Sequence, residues 1–344
     1  VTSIPSLRER LAALGANPRH ASHVLRVWAQ ARSPQAGRPI ETFLPKPLVQ
    51  AWPALMAELG GLATLRSQHP AADGGVRLLV DLADGESVES VLLPRGGVCV
   101  STQVGCAVAC RFCMTGQGGL RRQLSSAEIV AQVALARRVR GVRKVVFMGM
   151  GEPAHNLDAV LEAIELLGEE GGIGQKSLVF STVGDERVFE RLPHGRVKPA
   201  LALSLHTTRA GLRAELLPRA PRFDPAELVA QGDAYARATG YPLQLQWTLL
   251  AGVNDGDDEV EALIPLLRGR LAMLNLIPYN HVDGLPYRRP DAGRASAMAR
   301  ALNRAGIVTR LRQSAAQDVD GGCGQLRARS TPPGRPLGVA VAAG

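Results

Sequence analysis

The sequence has no run of about 18 uncharged apolar residues, the length a membrane-crossing helix needs, so no span is expected. It also lacks a charged stretch followed by an apolar core and a small-residue cleavage site. No secretory leader is expected, and a cytoplasmic location is. Valine rather than methionine stands first, and nothing functional is read from it. Cysteine is scarce: Cys99, Cys106, Cys110, Cys113 and Cys323 are the only five in 344 residues. An odd number, with four crowded into fifteen positions, does not build the disulfide framework of a small secreted protein. Metal binding or thiol chemistry in a reducing compartment is the expectation. Beyond an alternation of strands and helices there is no internal repeat.

What is present is ordinary in bulk and unusual in detail. Hydrophobic residues make up 46% and charged residues 21%, as in soluble globular chains. The length suits one large domain, or a core with a small appendage. The net charge is +9 and the pI about 9.9. That balance fits simple solubility or attraction to a polyphosphate such as nucleic acid. Clusters such as Arg121-Arg122 and Arg137-Arg138 are scattered, so the charge alone defines no patch.

Residues 1–65 read as helical. Leu7–Leu14 and Ala21–Arg32 carry helical apolar spacing, and Gly15-Ala16-Asn17-Pro18 separates them as a stop and turn. Residues 76–93 change period: two strand-like runs flank Asp84-Gly85, a hairpin signal. From residue 98 apolar strands alternate with helices. Strands are expected at 98–104, 144–148, 177–182, 199–205, 243–249 and 272–277. Helices are expected at 126–140, 156–168, 185–192, 225–238 and 257–269, followed by a seventh pair at 291–305 and 307–311. Ser125-x-x-Glu128 is a capping box. Near-continuous apolar strands between helices predict a parallel sheet, in an open partial barrel rather than a closed eight-stranded one. The expected organisation is a helical accessory domain over 1–65, a β-hairpin extension over 66–97, an α/β core over 98–328, and a disordered tail from 329.

In such folds chemistry collects where strands end. Cys106-x-x-x-Cys110-x-x-Cys113 follows the first strand, and Gly149-Met150-Gly151-Glu152-Pro153 the second. Ser181 ends the third, Ser204-Leu205-His206 follows the fourth, and Asn280 the sixth. All fall on one rim. Three contiguous thiolates without a local fourth ligand suit a four-iron cluster with one open iron better than structural zinc, which takes four ligands. Glycines at 149 and 151 allow close backbone approach. Alone, that loop would be a tight turn, and His206 a structural strand-end histidine.

The cysteine spacing, with Phe112 before the third, resembles the radical-SAM superfamily. That resemblance implies a [4Fe-4S] cluster on Cys106, Cys110 and Cys113, and S-adenosyl-L-methionine held by Gly151, Glu152, Ser181, Ser204, Leu205, His206 and Asn280. Cleavage of that cofactor supplies a carbon radical. More narrowly, several segments are similar to the RlmN/Cfr family of RNA adenine methyltransferases: Cys99-Val-Ser-Thr-Gln-Val-Gly-Cys106, Phe112-Cys-Met-Thr-Gly116, Arg122-x-Leu-Ser-Ser-Ala-Glu-Ile129, Leu203–His206, Gly252-Val-Asn-Asp255, Asn275-Leu-Ile-Pro-Tyr-Asn280 and Asp318-Val-Asp-Gly-Gly-Cys-Gly-Gln-Leu326. The similarity runs from about residue 76 to 327, and the N-terminal helices, with Trp28, resemble that family's accessory domain.

The implied activity is methylation of an adenine ring carbon in ribosomal or transfer RNA, carbon-2 first. That carbon is electron-poor and will not displace a methyl group from a sulfonium, whereas an alkyl radical can add to it. The resemblance makes Cys323 the methyl carrier, Cys99 the thiol that resolves the adduct through a transient disulfide, and Glu89 the proton acceptor. Without it, Cys99 would be a small core residue and Glu89 a solvated strand residue. The target base must leave its stack, so an unpaired loop is expected. A flavodoxin- or ferredoxin-type electron donor is implied, and a monomer is the default. Three departures concern the RNA target: a short loop between Glu89 and Cys99, no charged run over 310–317, and His281 in place of proline after Asn280. The alternatives are carbon-8 methylation, a radical-SAM protein maturase, which would not need the Cys99/Cys323 pair, and a non-catalytic iron–sulfur RNA-binding protein.

Overall fold

The computed structural model describes residues 2–33 and 39–328; the tail expected from 329 lies outside them. The chain opens with α1 (Ile4–Ala13), α2 (Pro18–Ala29) and α3 (Lys46–Gly61). Ser3 and Asn17 cap the first two helices in capping boxes closed by Ser6 and His20. Gly15 takes φ +82° between them, a left-handed turn that glycine adopts without strain. Arg137 fixes the helices to the core, donating to Ala29 O and Gly171 O, each at 2.7 Å. Ile4, Leu25, Trp28 and Leu48 are buried in the same continuous apolar core as the main sheet. Burial of each such side chain contributes about 1.5–3 kcal/mol.

Three antiparallel strands follow: β1 (Ala63–Pro70), β2 (Val76–Leu82) and β3 (Ser87–Leu93). The expected extension was a hairpin beginning at 66; β1 is an additional edge strand that straddles the 65/66 boundary. It is mostly exposed, with polar residues along its length, so it has no apolar alternation to announce it.

The core continues with β4 (Gly97–Cys99), β5 (Gln103–Gly105), α4 (Met114–Gln117), β6 (Leu120–Gln123), α5 (Ser126–Val139), β7 (Lys144–Phe147), α6 (Leu157–Glu169), β8 (Leu178–Thr182), α7 (Glu186–Arg191), β9 (Ala200–Ser204), α8 (Ala210–Leu216), α9 (Pro225–Thr239), β10 (Leu243–Leu249), α10 (Asp257–Leu267), β11 (Ala272–Pro278), α11 (Ala292–Arg304) and β12 (Thr309–Leu311). One sheet runs β1-β2-β3-β4-β7-β8-β9-β10-β11-β12, while β5 and β6 pair separately. From β4 through β12 every neighbour in that sheet is parallel. The strands curve so that residues from β7 to β11 line one cavity, and β1 and β12 remain unpaired edges. The fold is thus an open α/β partial barrel.

The strand expected over 98–104 is broken. Gln132 of α5 accepts from Ser101 N and donates to Ser101 O, both at 2.9 Å. A side-chain amide takes the place of the next strand, and the chain turns out of the sheet into β5. Among the described residues no helix is long and apolar enough to cross a membrane.

Candidate active site

A cavity of about 160 Å³ opens at the C-terminal ends of the parallel strands. Cys106, Cys110 and Cys113 line it, as do Gly151, Glu152, Ser181, Ser204, His206 and Cys323. Most of the rim read from the sequence is therefore one site in space, while Asn280 lies outside this lining, in contact with Cys323. Leu205, fully buried, serves it through its backbone N–H, which donates to Gln246 O at 3.1 Å.

The cluster loop lies between β5 and α4. Its apolar residues Val108 and Phe112 pack against Leu216, Leu217 and Ala220, the end of α8 and the turn beyond it. Gly116 lies so close to the loop that a side chain there would meet Ala109 Cα at 2.8 Å. Burial is the main cause that raises all three thiols, Cys106 to about 12. Without a bound cation these groups are neutral, and binding a metal cluster releases their protons. No group of three or more His, Cys, Asp or Glu among the described residues is arranged to hold a single metal ion. The thiols ring a cavity, an arrangement for a multi-atom cluster.

The residues around them fit a cofactor with amino, carboxylate and ribose groups. Gly151 has φ +106°, and a Cβ there would lie 2.7 Å from the Gln103 side chain. That side chain in turn accepts from Glu152 N at 2.7 Å. The Glu152 carboxylate accepts from Ala154 N and Val183 N, each at 3.1 Å. Burial outweighs these bonds and raises the carboxyl to about 7. His206 has φ +64°, packs edge-on against Phe112 at 4.9 Å, and accepts from Thr248 N through Nδ1 at 3.0 Å. Burial, then Arg213, lowers the ring to about 3. The imidazole is thus neutral with its proton on Nε2, a donor. Asn280 holds the Cys323 carbonyl through Nδ2 at 2.9 Å and leaves its buried Oδ1 without a partner. An orphaned acceptor beside the cavity suits an ammonium donor.

Cys323 is exposed at the cavity mouth. Its loop is tied on both sides: Met114 N donates to Gly324 O and Thr115 Oγ1 to Leu326 O, each at 2.7 Å. A side chain at Gly322 would collide with Asn280 and Gln325. Cys99 pairs with Val91 and Val146 and lies on the barrel's inner face, in a layer with Val146, Val179 and Ala200. It does not line the cavity. Burial raises its thiol, and the neighbouring Cys323 adds to the shift. Both thiols are free. Glu89 stands apart. It is fully buried behind the Cys323 loop, ion-paired with Arg77, and accepts from Arg327 N at 2.9 Å. Burial raises this carboxyl, against the opposing pull of Arg77.

Several site residues escaped the sequence reading. Gln246 and Thr248 of β10 line the cavity; their alternation within LQLQWTL was a usable signal of an inward polar face. Buried Arg213 donates to Val183 O and Ser204 O and adds a positive charge near Cys110 and Glu152. Asn254, within the Gly252–Asp255 segment to which the resemblance gives no role, ties His206 to β10, donating to His206 O at 2.7 Å and Thr248 O at 2.8 Å.

Residues 100–264 match the family model of the Radical SAM superfamily. The chain is 70% identical to a "Probable RNA methyltransferase" of Methylibium petroleiphilum, over 95% of this chain and 93% of that protein. It is 62% identical to one of Pseudomonas aeruginosa, over 94% and 95%. A crystal structure of a radical SAM methyltransferase from Sphaerobacter thermophilus superposes with a TM-score of 0.81 at 34% identity, covering 95% of this chain and 98% of that one. Radical SAM proteins bind a [4Fe-4S] cluster and S-adenosylmethionine, and the cavity's thiols, glycines and unpaired acceptor fit both. The chain belongs to the radical SAM RNA methyltransferase family.

Proposed function

We propose that this enzyme methylates a ring carbon of adenine, carbon-2, in an unpaired loop of ribosomal or transfer RNA, with Cys323 as methyl carrier and Cys99 as resolving thiol. The observation that carries the reading is that Cys323 shares a cavity with Cys106, Cys110 and Cys113, while Cys99 lies on the inner face of the same barrel with Cys323 as a neighbouring charge. A radical SAM enzyme needs three cysteines for its cluster; the other two need a reason.

Cys106, Cys110 and Cys113 would hold the cluster, and Gly151, Glu152, Ser181, Ser204, His206 and Asn280 would hold S-adenosylmethionine. Together these groups supply a methyl group and a carbon radical. The chain's own residues do the rest. Cys323, exposed on a loop whose other residues are largely buried, takes the methyl group on sulfur and presents it to the base. Removal of one methyl hydrogen by the carbon radical would leave an S-methylene on Cys323 that adds to the ring carbon. Loss of the ring hydrogen, its proton to a base and its electron back to the cluster, would leave Cys323 joined to RNA by a C–S bond. Cys99 Sγ then attacks Cys323 Sγ. The C–S bond breaks, its electron pair stays on carbon, and a proton completes the methyl group while the two sulfurs become a disulfide. An external thiol or dithiol reduces that disulfide. For Glu89 to take the ring proton, Arg327 must release its carboxylate, so this proposed base is coupled to movement of the Cys323 loop.

The Cys99→Ala variant tests the reading. It should purify with RNA joined to Cys323, and mass spectrometry after nuclease and protease digestion should show a methylene-linked adenine nucleotide on the Cys323 peptide. The attachment carbon, found by fragmentation, separates carbon-2 from carbon-8. An unmodified Cys323 in a variant with an intact, reducible cluster would refute the carrier role.

A further inference from the structure

The parallel strands do not close on one another: β4 is followed by antiparallel β3, and β12 is an edge. The chain after β12 crosses to the β1–β2 turn, where Ala316 N donates to Asp73 and Ala72 N to Asp318, and the residues beside the remaining gap are basic. Alternation along β11 puts Ile277 in the cavity and so turns Asn275 inward. Asn275 pairs with Arg310, and parallel partners share a face. Arg310 and Arg312 are therefore the inward residues at the free edge, and both are exposed. On the opposite lip Lys144 is inward at the start of β7, in the same alternation as Val146 and Met148. Arg143 N donates to Gly96 O at 2.8 Å, which sets Arg143 and Lys144 against the turn that carries exposed Arg95.

Arg95, Arg143, Lys144, Arg310 and Arg312 form no ion pair among the described residues, whereas many other arginines do, Arg66, Arg122, Arg196 and Arg294 included. The charges bearing on Lys144 and Arg312 are other cations: Arg312 on the first, Arg310 and Arg95 on the second. The two lips thus face each other with like charge and no counterion. Asn275 supplies a second, independent sign of a ligand. It is completely buried, its Oδ1 accepts from Arg312 Nε at 2.5 Å, and its Nδ2 has no partner. The inner wall beyond Lys144, by contrast, is apolar: Val146, Val179, Ala200 and Ala202.

We propose that this open seam is the RNA entrance, with Arg310 and Arg312 on one lip and Arg95, Arg143 and Lys144 on the other holding the sugar–phosphate backbone while one base passes inward toward the Cys99 layer. The inference rests on the RNA reading above and adds the surface and the route. Cations without an ion-pair partner are relieved of their mutual repulsion when an anion spans them, and a polymer needs an opening that a single base can enter while its backbone stays outside.

The test measures binding of a fluorescein-labelled RNA hairpin, with an adenine in its loop, to the cluster-loaded protein from 50 to 200 mM salt. Neutralising two lip residues together, Arg95→Gln with Arg310→Gln, removes two phosphate contacts. The loss of affinity across that salt range should shrink by about tenfold relative to wild type, because each contact contributes about 0.7–0.9 to the log–log slope. The pair Arg95→Lys with Arg310→Lys should keep the wild-type slope, and so should Arg196→Gln, which removes a surface charge already paired with Glu165. A wild-type slope in the Gln pair would overturn the seam while leaving the RNA reading intact. A wild-type protein that does not bind the hairpin at 50 mM salt would overturn both.

Discussion

Replacement of Asn254 by alanine should damage stability and cofactor binding together. This residue is not itself among the proposed cofactor-binding positions, yet it hydrogen-bonds His206, which is, and ties it to β10. Its Nδ2 donates to His206 O and Thr248 O, and its Oδ1 accepts from Leu250 N at 2.7 Å. Asn254 and Leu250 are completely buried, so water cannot replace the lost bonds. Each bond contributes about 1 kcal/mol net, and a buried N–H left unpaired costs about 1–3 kcal/mol. The two bonds to carbonyls and the orphaned Leu250 N–H, counted once each, total about 3–5 kcal/mol. With a urea slope of about 3 kcal/mol per M or steeper, the unfolding midpoint falls by roughly 1 M. Trp247 fluorescence is a local probe, since its Nε1 donates to Asn254 O at 3.1 Å. Asn254→Asp sharpens the test. It keeps an acceptor for Leu250 but sets a carboxylate oxygen against two carbonyls, so it should be no better than alanine despite its shape. A cost below about 1 kcal/mol for alanine, or a well-tolerated aspartate, would refute the reasoning that these hydrogen bonds hold His206 in its left-handed conformation.

Two further outcomes follow from the rim. Gly151→Ala combines a left-handed φ with a clash against Gln103, a strain of about 1–3 kcal/mol; equilibrium dialysis should show weakened S-adenosylmethionine binding while the cluster absorbance is unchanged. In the ligand-free protein Glu152 titrates near 7 rather than its usual 4.5, so the folded state binds its proton more tightly than the unfolded one. This group's stabilisation is full below pH 4.5 and is lost as pH rises through 7, on the order of 3 kcal/mol in all. His206, lowered from 6.5 to about 3, works in the opposite sense over its own window. The difference in unfolding free energy between wild type and Glu152→Gln, followed from pH 5 to 8, isolates the carboxyl; a flat difference would refute its raised value.

The parts of this molecule legible in its sequence are those set by local periodicity. Except for the short α8 (Ala210–Leu216), which was not expected, the helices from 126 to 304 and the parallel strands from 144 to 311 follow from apolar spacing, and the rim follows because parallel strands all end on one side. What could not be read depends on partners distant along the chain. The break at Ser101 is made by Gln132, whose amide occupies both of its backbone groups. β1 is held by backbone pairing to β2 rather than by an apolar face of its own. Arg213 would pass for a solvated helix residue, and only the fold carries it beneath Ser204. Glu89 shows the converse: its resemblance suggested a proton acceptor, while the fold adds Arg77 and Arg327 as partners that no spacing could reveal.

Two physical pressures converge on the edge strand β12, and they can be separated. An unpaired edge invites pairing with another sheet, and charged side chains on it discourage that. This pressure alone would account for Arg310 and Arg312, but only for them. It gives no reason for Arg95, Arg143 and Lys144 on the opposite lip, where β4 and β7 are already paired. Nor does it explain why Asn275, buried one strand inside the edge, leaves a donor unused. Edge protection works through any charge, so Arg310→Glu would preserve it. An RNA entrance requires positive charge, and the same substitution would abolish it. A closed barrel would need neither device, but it would also have no gap through which a base could pass while its backbone remained outside. On the proposed reading, the partial barrel and its basic lips are two parts of one solution to the same problem, the delivery of a single base of a polymer to Cys323.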